Sequence, residues 1–170
     1  MCTVTFVPAG AGFYLTSNRD GSRDCGLAVA PHIYRKGTNE LIYPRDKDGG
    51  GSWIVMKEEG TAAVLLNDAF LKHFRKPPYR VSRGVVLLDI VGATEPLRHF
   101  EEIDLNGIEP FTLVLLVDGD LWDCRWAPEV SRPISTTPAI RYFLPGKNLS
   151  VTGGYYSGLV LSMRSKDRFP

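Results

Sequence analysis

Cys2 is the residue of this chain whose position lends it chemistry. Removal of the initiator methionine, which the small side chain of Cys2 permits, leaves a terminal residue carrying both a thiol and a free α-amine. An α-amine titrates at about 7.7–8.0 and a thiol near 8.5, so at neutral pH the amine can take the thiol's proton directly or through water. The competing reading is a buried cysteine on a first strand, a common place for that residue. Asp20 closes the run Leu15-Thr16-Ser17-Asn18-Arg19-Asp20, which follows the small-residue turn Pro8-Ala9-Gly10-Ala11-Gly12. A hairpin here brings Asp20 back towards Cys2, where its carboxylate can hold the α-amine while Asn18 and Arg19 orient or neutralise a substrate. A solvated strand end explains Asn18-Arg19-Asp20 equally simply.

The elements that must position these groups are mostly strands. Runs rich in β-branched and aromatic residues recur at about 2–7, 12–18, 27–34, 40–44, 52–57 and 61–66, with turn signals between them, and predict a meandering antiparallel sheet. An apolar helix is expected over 82–91 with Ser82 as N-cap, and a second over 94–102 with Thr94 as N-cap and Pro96 in its first turn. Strand character returns at 111–117, and Asp118-Gly119-Asp120 reads as a tight hairpin turn into 121–126. Beyond Ser131 come Pro133, Pro138 and Pro145, with two short edge strands expected at 139–144 and 149–152. Strands, then helices, then strands make the fold class α+β, mostly antiparallel.

Composition bounds the function. The 170 residues, 44% hydrophobic and 23% charged, suffice for one core and one domain over 1–170. A formal net charge of +1 gives no electrostatic reason to expect a nucleic acid or an acidic membrane as partner. The basic run Lys72-His73-Phe74-Arg75-Lys76 reads as a solvated connection. No stretch approaches the roughly 18 apolar residues of a membrane span, and the apolar opening is short and broken by Pro8, Gly10 and Gly12, unlike a secretory signal. Cys2, Cys25 and Cys124 form an odd set without CxxC spacing, which speaks against a disulfide framework and a structural zinc site, and a cytoplasmic setting is expected. His32, His73 and His99 lie far apart, so no metal and no cofactor is expected. Asp48-Gly49-Gly50-Gly51-Ser52 lacks the Gly-Lys-Ser/Thr of a phosphate loop and precedes Trp53-Ile54-Val55-Met56, so it reads as a turn before a strand.

Asn18-Arg19-Asp20 together with Gly50-Gly51-Ser52-Trp53-Ile54, Ala63-Val64-Leu65-Leu66-Asn67, Tyr79-Arg80-Val81-Ser82-Arg83-Gly84 and Gly107-Ile108-Glu109-Pro110-Phe111-Thr112-Leu113 resembles the NRDE family in order and spacing. Its best-known eukaryotic members are called transport and Golgi organisation proteins, and the family looks like a branch of the amino-terminal-nucleophile hydrolases. The likeness covers Met1 to about Trp126 and fades over 127–170. Gly21 stands where the family's signature has Glu. The resemblance implies a four-layer αββα sandwich, with a truncated or divergent C-terminal layer, and a pocket flanked by the Gly-rich turn and Trp53. In bile-acid and penicillin amidase relatives an arginine at the end of the second strand lies in the site; the aligned position here is Ser17, with Arg19 one residue before Asp20.

The function expected from this likeness is hydrolysis of a linear amide of a small molecule by the Cys2 thiolate, with Asp20 holding the amine and Asn67 donating to the oxyanion. Asn67 is otherwise a turn-forming amide at a strand end. The alternative is a non-catalytic binding or trafficking protein for an apolar ligand such as haem, for which Trp53, Phe70, Trp122, Trp126 and Tyr142 supply flat surface; the same residues serve equally as core.

Overall fold

The computed structural model describes residues 3–9, 12–18, 28–67, 77–127, 139–143, 149–151 and 158–164. Two antiparallel sheets and a helical pair make up the architecture. Strands β1 (Thr3–Ala9) and β2 (Gly12–Asn18) form a hairpin whose register runs from Thr3↔Asn18 to Ala9↔Gly12. Next come β3 (Val29–Lys36), β4 (Asn39–Arg45), β5 (Ile54–Lys57) and β6 (Ala62–Asn67), then helices α1 (Arg83–Gly92) and α2 (Pro96–Glu102). Strands β7 (Phe111–Val117), β8 (Asp120–Trp126), β9 (Ala139–Phe143), β10 (Leu149–Val151) and β11 (Gly158–Arg164) complete the chain.

The expected single meander is divided between the sheets. A four-stranded sheet has the order β10-β1-β2-β11, and a seven-stranded sheet runs β3 to β9 in sequence order. Both expected tail strands are edges, β9 of the larger sheet and β10 of the smaller, so β1 and β2 are interior strands. The strand β11 was not among the expected strands, yet it pairs along all of β2 from Gly158↔Asn18 to Arg164↔Gly12.

The layering follows from the alternation of side chains along β6 and β7. Ala62, Val64, Val114 and Leu116 pack with Val4, Phe6 and Leu15 of the smaller sheet. Ala63, Leu65, Phe111, Leu113 and Leu115 face the other way, into a second core with Val86, Leu87, Ile90 and Val91 of α1 and Phe100 of α2. Both faces of these strands are covered, which is why Leu113-Val114-Leu115-Leu116 reads as an unbroken apolar run. Each such fully buried Leu, Val or Phe contributes roughly 1.5–3 kcal/mol, so the two cores hold the three layers together. Among the described residues both helices lie on one face of the seven-stranded sheet, opposite the smaller sheet.

Ser82 caps α1 as expected, its Oγ accepting from the Val85 N–H at 3.4 Å and donating to Gly49 O at 2.8 Å. Helix α2 begins one residue later than expected. Glu95, not Thr94, is its N-cap and makes no side-chain cap bond; Pro96 follows, with φ already suited to a first helical turn. The β7–β8 hairpin turns through Asp118 at φ 53° and Gly119 at φ 84°, the two left-handed residues that a two-residue turn needs to match the strand twist.

Candidate functional site

At the open end of the β1–β2 hairpin, Thr3 pairs with Asn18 and Val4 with Ser17. Cys2, Arg19 and Asp20 lie outside the described residues, as do Cys25, Phe70 and the basic run 72–76; Thr3 and Asn18 are the described residues next to them in the chain. Asn18 is half-buried. Val4 and Leu15 fill the space between the sheets, and Ser17, paired with Val4, shares their face. Ser17 is only 1% exposed, and its Oγ has no hydrogen-bond partner among the described residues.

Across the inter-sheet space, the larger sheet presents a buried charge that sequence reading missed. Asp123 is paired with Val114, which faces the smaller sheet, so Asp123 does too. It is 2% exposed and held bidentately by Arg125, with Arg125 Nε 2.8 and 2.9 Å from its two oxygens and Nη2 2.6 Å from Oδ2. Arg125 is paired with the buried Thr112 on the same face. The signal available in sequence was the Asp-x-Arg spacing within a strand, which puts both side chains on one face.

Asn67 is the last residue of β6, exposed, and paired with Phe111. Phe111 belongs to the helix-side core, so the register places Asn67 on that face, while Leu66 and Thr112 occupy the inter-sheet face. Trp53 is half-buried and packs against both cores. Trp122 packs on the helix-side core, and Trp126 is 7% exposed with its indole N–H donating to Ile108 O at 3.2 Å.

The motifs between 50 and 113 converge on the start of α1. Gly51 and Gly84 let two backbones meet: a Cβ at Gly51 would lie 2.1 Å from Gly84 C, and one at Gly84 2.6 Å from Ser52 O. Arg83 reaches Glu109 at 3.1 Å, both mostly buried, and donates to Pro110 O at 3.0 Å. Arg80 donates to the carbonyls of Asn106 and Asp104. The Gly-rich turn therefore docks the helix, as a turn before a strand rather than a phosphate loop.

Of the other chemistry-bearing groups, Cys124 is fully buried, and its thiol is pushed up to about 12 by burial and by the negative charges of Asp123 and Glu101. Such a thiol is inert. His99 Nε2 sits 3.0 Å from Asp89, and His32 Nδ1 2.6 Å from Ala30 O; among the described residues no three His, Cys, Asp or Glu are gathered to hold a metal ion.

A family model described as Transport and Golgi organisation 2 matches residues 1–125. The chain belongs to the transport and Golgi organisation 2 family. A search of the curated proteins found no match. The family match ends within β8 at Arg125, so the hairpin end, the α1 docking motifs and the Asp123–Arg125 pair all fall inside it, whereas β9, β10 and β11 fall outside. No described helix is long and apolar enough to cross a membrane, which says nothing of strands.

Proposed function

We propose that this member of the transport and Golgi organisation 2 family is a cysteine amino-terminal-nucleophile hydrolase acting on a linear amide of a small molecule. The observation that carries the reading is the Thr3↔Asn18 pairing on two interior strands of a sheet packed face to face on a second sheet. Cys2 adjoins one of these residues and Arg19-Asp20 the other. The four-layer αββα arrangement of the amino-terminal-nucleophile hydrolases belongs to the same proposal, the two sheets and the helices on the larger one supplying three of its layers.

In this mechanism the Cys2 α-amine takes the thiol proton, and Sγ adds to the amide carbonyl. The resulting oxyanion collapses with breakage of the C–N bond, the leaving nitrogen recovering the proton from the ammonium. Water then adds to the thioester, and the carboxylic acid and free thiol are released. Asp20 holds the α-amine, Asn18 and Arg19 orient the substrate, and Trp53 lines the pocket. In this proposal Asn67 donates to the oxyanion by reaching round the exposed end of β6 from the helix-side face on which its register puts it, a bond worth about 2.7–4 kcal/mol at the transition state. The carrier reading draws nothing from Trp126, whose ring is buried in the core, and from Trp122 only the part of its ring that is not packed on the helix-side core.

The test uses protein whose loss of Met1 is verified by intact mass, incubated with a panel of N-acyl amides. Turnover that vanishes in Cys2→Ala at unchanged melting temperature supports the reading; equal turnover in Cys2→Ala overturns it.

A further inference from the structure

Strand β3 ends one side of the seven-stranded sheet, and among the described residues no strand pairs with its outer edge. The turn after it fixes which backbone groups face outward. Gly37 and Thr38 connect the closing pair Lys36↔Asn39, and φ +63° at Gly37 is the positive first angle of a two-residue hairpin turn. The closing pair of such a turn is hydrogen-bonded, and bonded and non-bonded pairs then alternate along the ladder. Tyr34↔Leu41 is therefore a bonded pair, whereas Arg35↔Glu40 and Ile33↔Ile42 are non-bonded. Glu40 O accepts from the Glu58 N–H, just past β5, as this phase requires. The N–H and C=O of Ile33 and Arg35 consequently point away from β4, to the open edge.

Natural sheet edges usually carry a guard against further pairing. Here Pro31 and the register shift between Val29 and His32 blunt the first half of β3. Over 33–36 the guard is weaker, because Arg35 Nε is paired with Glu40 at 2.8 Å and Lys36 Nζ with Asp89 at 2.6 Å. Ile33, 62% exposed, is the most exposed large apolar side chain among the described residues. On the other face Tyr34 stacks on Tyr43 with ring centroids 4.1 Å apart.

We propose that this edge pairs with the same edge of a second copy of the chain, the two β3 strands running antiparallel across a two-fold axis at Tyr34. That register sets Ile33 opposite Arg35 of the second copy and Arg35 opposite its Ile33, so every outward N–H and C=O of these residues is bonded. Tyr34 meets Tyr34 of the second copy as a non-bonded pair, the kind with the closer side chains, and extends the Tyr34–Tyr43 stack across the axis. No Arg or Lys stands directly opposite another, since Arg35 meets Ile33 and Lys36 meets His32. A formal net charge of +1 leaves little long-range repulsion between copies. The strip is narrow, so the dimer is weak and reversible.

The test is sedimentation velocity over about a hundredfold range of concentration, with hydrogen exchange measured at both ends of that range. The dimer fraction should rise with concentration, and exchange of the Ile33 and Arg35 amides should slow with it. Arg35→Pro removes an outward N–H that the β3–β4 ladder does not use, so it should weaken dimerisation at least about tenfold at a nearly unchanged melting temperature. Tyr34→Cys tests the register separately. Directly opposed Cα atoms of a non-bonded pair lie about 4.5 Å apart, within disulfide reach, so mild oxidation should link the two substituted positions, as read by peptide mapping. Ile33→Cys, offset from its counterpart by two residues, should form no such link. A chain that is monomeric at every concentration overturns the proposal, including one whose edge takes an extended segment of a different protein. A dimer that Arg35→Pro leaves intact overturns it too, as does one in which the Ile33 and Arg35 amides exchange no more slowly than in the monomer.

Discussion

Gly51→Ala should unfasten α1 from the sheet. The added Cβ would lie 2.1 Å from Gly84 C, 2.3 Å from Val85 N and 2.6 Å from Gly84 O, all backbone atoms with no flexible end to swing aside. Ordinary contact begins near 3.4 Å, so the helix start must retreat by more than an ångström. That movement strains the bonds that dock it, Ser52 N–H to Gly84 O at 3.2 Å and Ser82 Oγ–H to Gly49 O at 2.8 Å. Overpacking costs about 1–3 kcal/mol and each of the two lost bonds about 1 kcal/mol, which together come to roughly 3–5 kcal/mol. For a chain of this size that is a melting temperature lower by about 6–20 °C in a thermal scan followed by circular dichroism. Gly49→Ala is the control. Its Cβ would meet Asp46 Cγ at 3.6 Å and Ser82 Oγ at 3.7 Å, ordinary contacts, so its stability should change by no more than about 0.5 kcal/mol. A Gly51→Ala protein melting within about 2 °C of the unmodified chain refutes the docking argument.

Glu109→Gln should destabilise by about 3 kcal/mol in urea denaturation by removing the carboxylate charge 3.1 Å from the mostly buried Arg83 guanidinium, and the double variant Arg83→Met/Glu109→Leu should cost less than the single one. Cys124 should resist thiol reagents at pH 8 in the folded protein and label only on denaturation, because its thiol lies at about 12; labelling of the native protein at Cys124 contradicts the burial argument. Burial pushes Asp89 up, but hydrogen bonds from Lys36 and His99 outweigh it and hold the carboxyl below its usual value. A depressed carboxyl stabilises the fold above its unfolded value near about 4, and that contribution fades as pH falls through the folded value. With the carboxylate 46% exposed it amounts to a few tenths of a kcal/mol, so urea midpoints of Asp89→Asn should fall slightly short of the unmodified chain's at pH 7 and converge with them at about pH 3.

Much of the scaffold is legible in the sequence because its strands are bounded by residues with one local meaning. Asp118-Gly119 suits a two-residue turn through left-handed φ, and Ser82 before an apolar helical run is a cap; both stand where expected. Thr94 failed as a cap because Pro96 suits the first helical position and moves the N-cap to Glu95, a preference that outweighs the side-chain oxygen of threonine. The division of the strands between two sheets was not legible, since sheet membership depends on contacts far apart in sequence: β1 pairs with β10 some 140 residues on, and β11 with β2. At the candidate site the residue types of Cys2, Asn18 and Asp20 suggest chemistry. The orphan hydroxyl of Ser17 and the buried Asp123–Arg125 pair emerge only when register and layering show which face each residue occupies.

The central claim is that Cys2 is an acylating nucleophile, and intact mass spectrometry of Met1-free protein quenched in acid after exposure to an activated N-acyl substrate tests it most directly. The proposal predicts a single added acyl group, mapped to Cys2, lost with time in water and absent from Cys2→Ala. Fully matured protein that acquires no adduct and releases no product from any member of the panel contradicts it.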